Sequence, residues 1–123
     1  MEKLLIAVRS KALAATVAQA LTQYEVHTCH TGPDALRLLE TLTPEVFLVE
    51  LTLPEVSGLS VLEATQYRPP VILALTCLVS EALLEKAAAA GVREVLLLPC
   101  PAASIIQRLK KHPLRMDVPE RST

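Results

Sequence analysis

Hydrophobic residues along the chain form short continuous runs that alternate with segments of helical spacing. The runs at 4–8, 46–49, 71–75 and 95–98 have strand length and contain almost no polar residues. Such runs are typical of parallel sheets whose two faces are both covered. Residues 26–29 alternate between apolar and polar, which favours an edge strand. The pattern therefore predicts five strands, four of them buried.

The segments between these runs carry the residues that begin and end helices. Ser10, Thr31 and Ser80 can each cap a following helix, because their hydroxyl oxygens can accept from its first free amides. The first helix is expected to run to about Gln23. Gly91 is placed to end the fourth helix, Pro101 to open the fifth, and His112-Pro113 to end the fifth. A third, short helix is predicted between residues 59 and 67.

Five strands that alternate with five helices predict a right-handed, doubly wound α/β fold. The expected order of the five parallel strands is 2-1-3-4-5, which is common for a domain of this size. In this order the chain reverses direction between strands one and three. A functional site is therefore expected at their carboxyl ends, near Val8, Arg9 and Glu50.

Composition narrows the class of protein. Hydrophobic residues make up 51% of the 123 residues, with only two tyrosines and one phenylalanine, so the core must consist of Leu, Val, Ile and Ala. A net charge of −1 gives no general attraction to nucleic acid or anionic membranes. No apolar run reaches the roughly 18 residues of a membrane span, and no signal peptide is recognisable. Three cysteines without CxxC spacing indicate reduced thiols in a cytoplasmic protein.

Several short motifs stand at the ends of the predicted strands. They are Pro44-Glu45, Leu53-Pro54, Gly58, Thr76, Ala90-Gly91 and Leu98-Pro99. Together they make the chain from Lys3 to about Lys111 resemble the CheY-like receiver domain of response regulators in two-component phosphorelay signalling. The receiver-like domain is expected to span residues 1–112. Residues 113–123 contain two prolines and mixed charges, and are expected to form a tail or linker.

The resemblance implies a phosphorylation pocket that this sequence has largely lost. Receivers hold Mg²⁺ with two acidic residues and an acceptor aspartate, and a lysine before a cis-proline binds the phosphoryl group. The acidic pair aligns with Val8 and Arg9, the acceptor with Glu50 and the lysine with Leu98. Only Thr76, the hydroxyl that follows the phosphoryl group, is kept.

The aromatic switch residue of receivers aligns with Val95. We therefore expect a pseudo-receiver without Mg²⁺ or other cofactor, and no phosphorylation, since Mg²⁺ requires several oxygen ligands. Three hypotheses describe Glu50: it forms an ion pair with Arg9, it imitates the phosphorylated state, or it points into solvent.

The resemblance implies a protein–protein interaction or dimerisation module, not an enzyme, whose partner is another protein or a second copy. Receivers commonly associate through their fourth helix, fifth strand and fifth helix. Besides Leu83 and Ala87, the candidate interface residues on this face are Leu84, Lys86, Arg93, Glu94, Val95, Ile105 and Arg108. No DNA binding is expected, because the chain has no basic recognition helix.

Two alternatives remain open from the sequence. In the first, Glu50 accepts a phosphoryl group in place of aspartate. In the second, the chain is a thiol-based redox protein that uses Cys29, Cys77 or Cys100, although the spacing of these cysteines matches no known motif.

Overall fold

The computed structural model describes residues 1–111, so the predicted tail and the predicted helix stop at His112-Pro113 lie outside the described residues. The strands are β1 Lys3–Ala7, β2 Glu25–Cys29, β3 Val46–Glu50, β4 Val71–Thr76 and β5 Glu94–Leu97. The helices are α1 Lys11–Ala20, α2 Gly32–Leu42, α3 Gly58–Ala64, α4 Glu81–Ala89 and α5 Ala102–Lys111. None of these helices is long and apolar enough to cross a membrane.

The five strands form one parallel sheet in the order β2-β1-β3-β4-β5. This is the predicted α/β fold with the predicted strand order. The edge position of β2 is also confirmed. The carboxyl ends of β1 and β3 lie side by side, since Ala7 is in register with Val49.

Alternate residues of the central strands supply two cores, one on each face of the sheet. Leu4, Ile6 and Leu48 belong to the core that α1 and α5 cover. Leu5 and Phe47 belong to the core that α2, α3 and α4 cover. Because both faces of β1, β3 and β4 are buried, their sequences are apolar without alternation.

The predicted helix caps are present. The hydroxyl oxygens of Ser10, Thr31 and Ser80 accept from the backbone N–H three residues later, at 3.0, 3.3 and 3.1 Å. Two helix ends differ from the sequence pattern. Helix α1 ends before Gln23, because Leu21 leaves helical geometry and is fully buried. Helix α3 ends at Ala64, where the next residue adopts an extended backbone.

The loop between β3 and α3 is held closely by backbone contacts. The Gly58 N–H donates to the Leu51 carbonyl at 3.0 Å, and the Gly32 N–H donates to the Pro54 carbonyl at 3.1 Å. Glu55 lies between Pro54 and Val56 and has a φ of 70°. The Val56 N–H donates to the Pro54 carbonyl at 2.8 Å. This is a three-residue γ-turn, so the loop after Glu50 has a defined conformation.

The packing at Gly58 predicts that Gly58→Ala destabilises the fold. A Cβ at this position would lie 2.3 Å from the Glu50 carbonyl oxygen and 2.8 Å from Val49 Cγ2. Alanine normally favours a helix, but here it would push α3 away from the sheet. We expect the free energy of unfolding in urea to fall by about 1–3 kcal/mol.

The matched control for this experiment is Glu63→Ala on the exposed side of the same helix. It should change the stability by no more than about 0.5 kcal/mol. Equal stability of Gly58→Ala and wild type would show that the contact between α3 and β3 is looser than described.

Candidate functional site

The candidate site lies at the carboxyl edge of the sheet, where β1 and β3 end next to each other. Glu50 is the last residue of β3, and Val8 and Arg9 directly follow β1. Leu98 follows β5, and its N–H donates to the carbonyl of Thr76 at 2.8 Å. The fold therefore brings the residues predicted from the sequence to one edge.

The carboxylate of Glu50 is buried and bonded within the chain. Only 9% of the residue is exposed. Its Oε1 accepts from the Arg9 backbone N–H at 2.8 Å, and its Oε2 accepts from the Thr52 hydroxyl at 3.4 Å. The hypothesis that Glu50 points into solvent is therefore wrong.

The hypothesis of an Arg9–Glu50 ion pair is also wrong for the described residues. The Arg9 side chain is exposed and forms no ion pair with Glu50. The contact uses the backbone amide, which any residue at position 9 except proline could supply. The charge of Arg9 is thus left on the surface beside the site.

Apolar side chains occupy two positions where receivers carry charge. Val8 is fully buried within the core under α1 and α5. Leu98 is half-buried and packs against the same core. The peptide bond between Leu98 and Pro99 is cis, as the resemblance implies for this position. The edge thus combines this cis peptide bond with apolar side chains at positions 8 and 98.

The hydroxyl of Thr76 is fully buried and engaged by its own loop. It donates to the Leu78 carbonyl at 2.9 Å and accepts from the Leu78 N–H at 3.1 Å. Both bonds fasten the start of the loop that leads into α4. A switching movement of Thr76 towards a ligand would have to break them.

Sequence reasoning missed the contacts of Thr52 and His30. Nδ1 of His30 lies 2.8 Å from the Val8 carbonyl, which can only accept, so this nitrogen carries the proton. His30 follows β2 directly, and this position placed it at the edge of the sheet. The sequence could not identify the Val8 carbonyl as its hydrogen-bond partner, because the direction of the chain after β2 depends on tertiary packing.

The residues present do not fit a magnesium ion. In receivers the metal needs several carboxylate oxygens, whereas this edge offers Glu50, whose two oxygens already accept hydrogen bonds. Across residues 1–111, no three His, Cys, Asp or Glu side chains are grouped so that they could hold a metal ion. The exposed guanidinium of Arg9 adds repulsion.

The candidate interface is only partly on the surface. Ile105 and Ala87 are fully buried, so the prediction that they present themselves to a partner is wrong. Both face the core because their helices need apolar anchors against the sheet. Arg108 forms an ion pair with Glu94 within the chain.

The other five residues named on this face differ in exposure, and Leu83 is half-buried. Arg93 is exposed and donates to the Pro70 carbonyl at 3.4 Å. Val95 is half-buried and packs against the core under α4. Leu84 and Lys86 are exposed on α4.

The three cysteines have different surroundings. Cys29 is buried, Cys77 is exposed and Cys100 is half-buried, and all three are free thiols. Burial raises the pKa of the Cys29 thiol to about 12, so it keeps its proton at neutral pH. Cys29 therefore lacks the thiolate that redox chemistry requires.

The chain matches a known protein family and several solved structures. The family model of the response regulator receiver domain matches residues 5–110, and the chain therefore belongs to this family. The chemotaxis response regulator CheY4 of Vibrio cholerae is 25% identical, with a TM-score of 0.78 over 90% of this chain and 98% of that one.

Two further solved structures share the fold. A CheY-like receiver domain protein from Methanospirillum hungatei is 21% identical, with a TM-score of 0.79 over 90% of this chain and 92% of that one. A Francisella response regulator receiver domain is 20% identical, with a TM-score of 0.76 over 90% of this chain and 95% of that one. The chain is thus a receiver domain of two-component signalling.

The bonding of Glu50 predicts that Glu50→Ala loses stability. Removing the carboxylate leaves the Arg9 N–H without its acceptor, which costs about 1–3 kcal/mol. Glu50→Gln keeps one oxygen acceptor and should lose less. Urea unfolding measures both variants, and hydrogen exchange of the Arg9 amide should accelerate only in Glu50→Ala. An unchanged exchange rate in that variant would contradict the bond.

Thiol labelling tests the surroundings of the cysteines. At pH 8 a maleimide should modify Cys77 first and Cys29 last, because Cys29 is buried and its raised pKa of about 12 keeps it protonated. Peptide mass spectrometry gives the order. Rapid modification of Cys29 in the folded protein would show that the thiol is reactive and would revive the redox alternative.

Proposed function

We propose that this receiver domain acts in the cytoplasm as a phosphorylation-independent protein–protein interaction module and has no enzymatic activity. One observation carries the proposal: the Glu50 carboxylate, which stands at the acceptor position, is already buried and bonded to the Arg9 amide and the Thr52 hydroxyl. An acceptor must instead be open to a phosphohistidine donor.

The charges around Glu50 support this proposal. Val8 and Arg9 replace two carboxylates, which makes the formal charge of the pocket about three units more positive. Leu98 supplies no cation for the phosphoryl oxygens. Without metal and lysine, charge that develops in phosphoryl transfer would have little stabilisation.

The surroundings of Thr76 and Val95 also support the proposal of a phosphorylation-independent role. The Thr76 hydroxyl is held by two bonds to Leu78, and Val95 has no aromatic ring that could follow a movement of Thr76. The domain is therefore built to keep one conformation. Binding in that conformation, to another protein or to a second copy, is the function that such a domain can perform.

An amide NMR titration with Mg²⁺ and beryllofluoride, which imitates the bound phosphoryl group in receivers, tests the proposal. The amides of Arg9, Glu50 and Thr76 should show no saturable shifts. The reason is that neither the metal ligands nor the phosphoryl-binding lysine are present.

The comparison variant is Arg9→Asp/Glu50→Asp/Leu98→Lys, which places a carboxylate at position 9, an aspartate at the acceptor position and a lysine before Pro99, and leaves the buried Val8 in place. Its fold is first checked by its amide spectrum. It should respond to the same titration more strongly than wild type. Saturable shifts centred on Glu50 in wild type would instead establish a glutamate phospho-acceptor and overturn the proposal.

A further inference from the structure

One peptide group at the carboxyl edge of the sheet is hydrogen-bonded on both sides by side chains of neighbouring strands. It joins Val8 to Arg9, directly after β1, which lies between β2 and β3. Its carbonyl oxygen lies 2.8 Å from His30 Nδ1, and its N–H donates to Glu50 Oε1 at 2.8 Å. His30 follows β2 and Glu50 ends β3, so this single peptide group connects the ends of three strands.

The two bonds continue the hydrogen bonding of the sheet by one step beyond β1. The Val8 N–H donates to the Cys29 carbonyl at 3.2 Å, so the backbone of Val8 faces β2. Successive residues of a strand direct their backbone groups to opposite sides, and the Arg9 N–H therefore faces β3. Here the partners are the side chains of His30 and Glu50 in place of backbone groups. The sheet thus brings both side chains to one shared peptide group.

Sharing this peptide group makes the two hydrogen bonds strengthen each other. A peptide carbonyl that accepts a hydrogen bond draws electron density from its own N–H, which becomes a better donor. The proton on His30 Nδ1 therefore favours the bond from Arg9 to Glu50, although no direct hydrogen bond joins His30 to Glu50 within the described residues. Both bonds are partly buried, so water competes with them less than at a free surface.

The bond from the Arg9 amide is the main polar contact that fixes Glu50. The Thr52 hydroxyl lies 3.4 Å from Oε2, which is long for a hydrogen bond between two oxygen atoms. Within residues 1–111, no cation forms an ion pair with Glu50. Whatever fixes the peptide group between Val8 and Arg9 therefore also fixes the carboxylate.

We propose that His30 is a latch for the acceptor position: through the shared peptide group it keeps the Glu50 carboxylate turned inward and closed to a phosphoryl donor. His30 is a positioning residue in this role, since it acts on Glu50 through the peptide group. The latch is an autoinhibitory contact built into the fold from residues of three strands. This inference rests on the proposed function and names what holds the acceptor position closed.

Two substitutions of His30 that differ in one donor group test the latch. His30→Asn keeps an N–H close to the place of Nδ1, whereas His30→Leu removes the donor. Hydrogen exchange of the Arg9 amide should accelerate by about tenfold in His30→Leu, because the Val8 carbonyl then lacks its donor, and should stay near the wild-type rate in His30→Asn. Exchange of the Leu51 amide, which donates to the Leu75 carbonyl, should not change and thus separates this local effect from general destabilisation.

The matched control is His27→Leu, which makes the same substitution within β2 itself. His27 contacts Glu25 and not the shared peptide group, so hydrogen exchange at Arg9 should keep the wild-type rate. An equal acceleration in His30→Asn and His30→Leu, or an equal effect of His27→Leu, would overturn the proposal.

The coupling between the two bonds is measured with Glu50→Ala and with the double variant His30→Leu/Glu50→Ala. If the bonds were independent, their effects on hydrogen exchange at Arg9 would multiply. The shared peptide group predicts an acceleration clearly smaller than this product, because without the carboxylate the Arg9 N–H has no acceptor whose bond His30 could strengthen. An acceleration equal to the product would show that His30 and Glu50 act separately, and the latch would be refuted.

Chemical modification of Glu50 tests whether the latch closes the acceptor position. A carbodiimide with an amine converts accessible carboxylates into amides, and peptide mass spectrometry locates the product. Glu50 should react at least about fivefold faster in His30→Leu than in wild type or His30→Asn, because local opening would then expose it more often. The exposed Glu40 should react at the same rate in all three proteins. Equal rates for Glu50 in all three would contradict the latch.

The tautomer of the His30 ring gives a direct spectroscopic signature. At pH 8, long-range ¹H–¹⁵N spectra should show the form with the proton on Nδ1, which is the nitrogen that donates to the Val8 carbonyl. A dominant form with the proton on Nε2 would show that the bond is absent, and the proposal would fall.

Failure of the latch is distinguishable from failure of the proposed function. If His30→Leu leaves hydrogen exchange at Arg9 unchanged and beryllofluoride gives no saturable shifts, the phosphorylation-independent role stands and the latch falls. If beryllofluoride binds saturably at Glu50 in wild type, the proposed function falls together with the latch, because the acceptor position would then be open.

Discussion

Burial of the central strands on both faces is the constraint on which the other features of this domain depend. The runs in β1, β3 and β4 can be removed from water only if helices cover both sides of the sheet. Because helices cover both faces, each strand is joined to the next through a helix. These crossover connections place the carboxyl ends of β1 and β3 side by side. A polar side chain that is buried at this edge, such as Glu50 or Thr76, needs a hydrogen-bond partner within the chain. For Glu50 that partner is the backbone of Arg9.

The backbone at this edge is held by contacts within the chain. The backbone shape of the edge is set by Gly58 against the Glu50 carbonyl and by the bond from Leu98 to Thr76. Neither contact depends on metal or phosphate. Val8 and Leu98, which stand where the resemblance implies a carboxylate and a lysine, pack into or against the core.

Helix α4 is attached to the rest of the domain by few buried side chains. Its one fully buried residue is Ala87, and Leu83 packs partly against the core. Its other side chains, and Leu97 beyond it, remain in water. Leu84 and Leu97 thus contribute little to folding, whereas the bonds of Thr76 to Leu78 hold the loop that leads into α4.

Local patterns determined most of the fold. Apolar runs without alternation define buried parallel strands, and Ser10, Thr31 and Ser80 mark helix starts through bonds that span three residues. These signals are short-range, so they can be read along the chain. The positions of Glu50 at the end of β3 and of Leu98 after β5 were predictable for the same reason.

Only the tertiary structure decided which contacts the side chains at the carboxyl edge of the sheet make. Whether Glu50 meets the guanidinium or the amide of Arg9, and whether Ile105 faces the core or solvent, depends on how separate elements are rotated against each other. Such geometry arises from packing between residues far apart in the chain, and no local pattern encodes it.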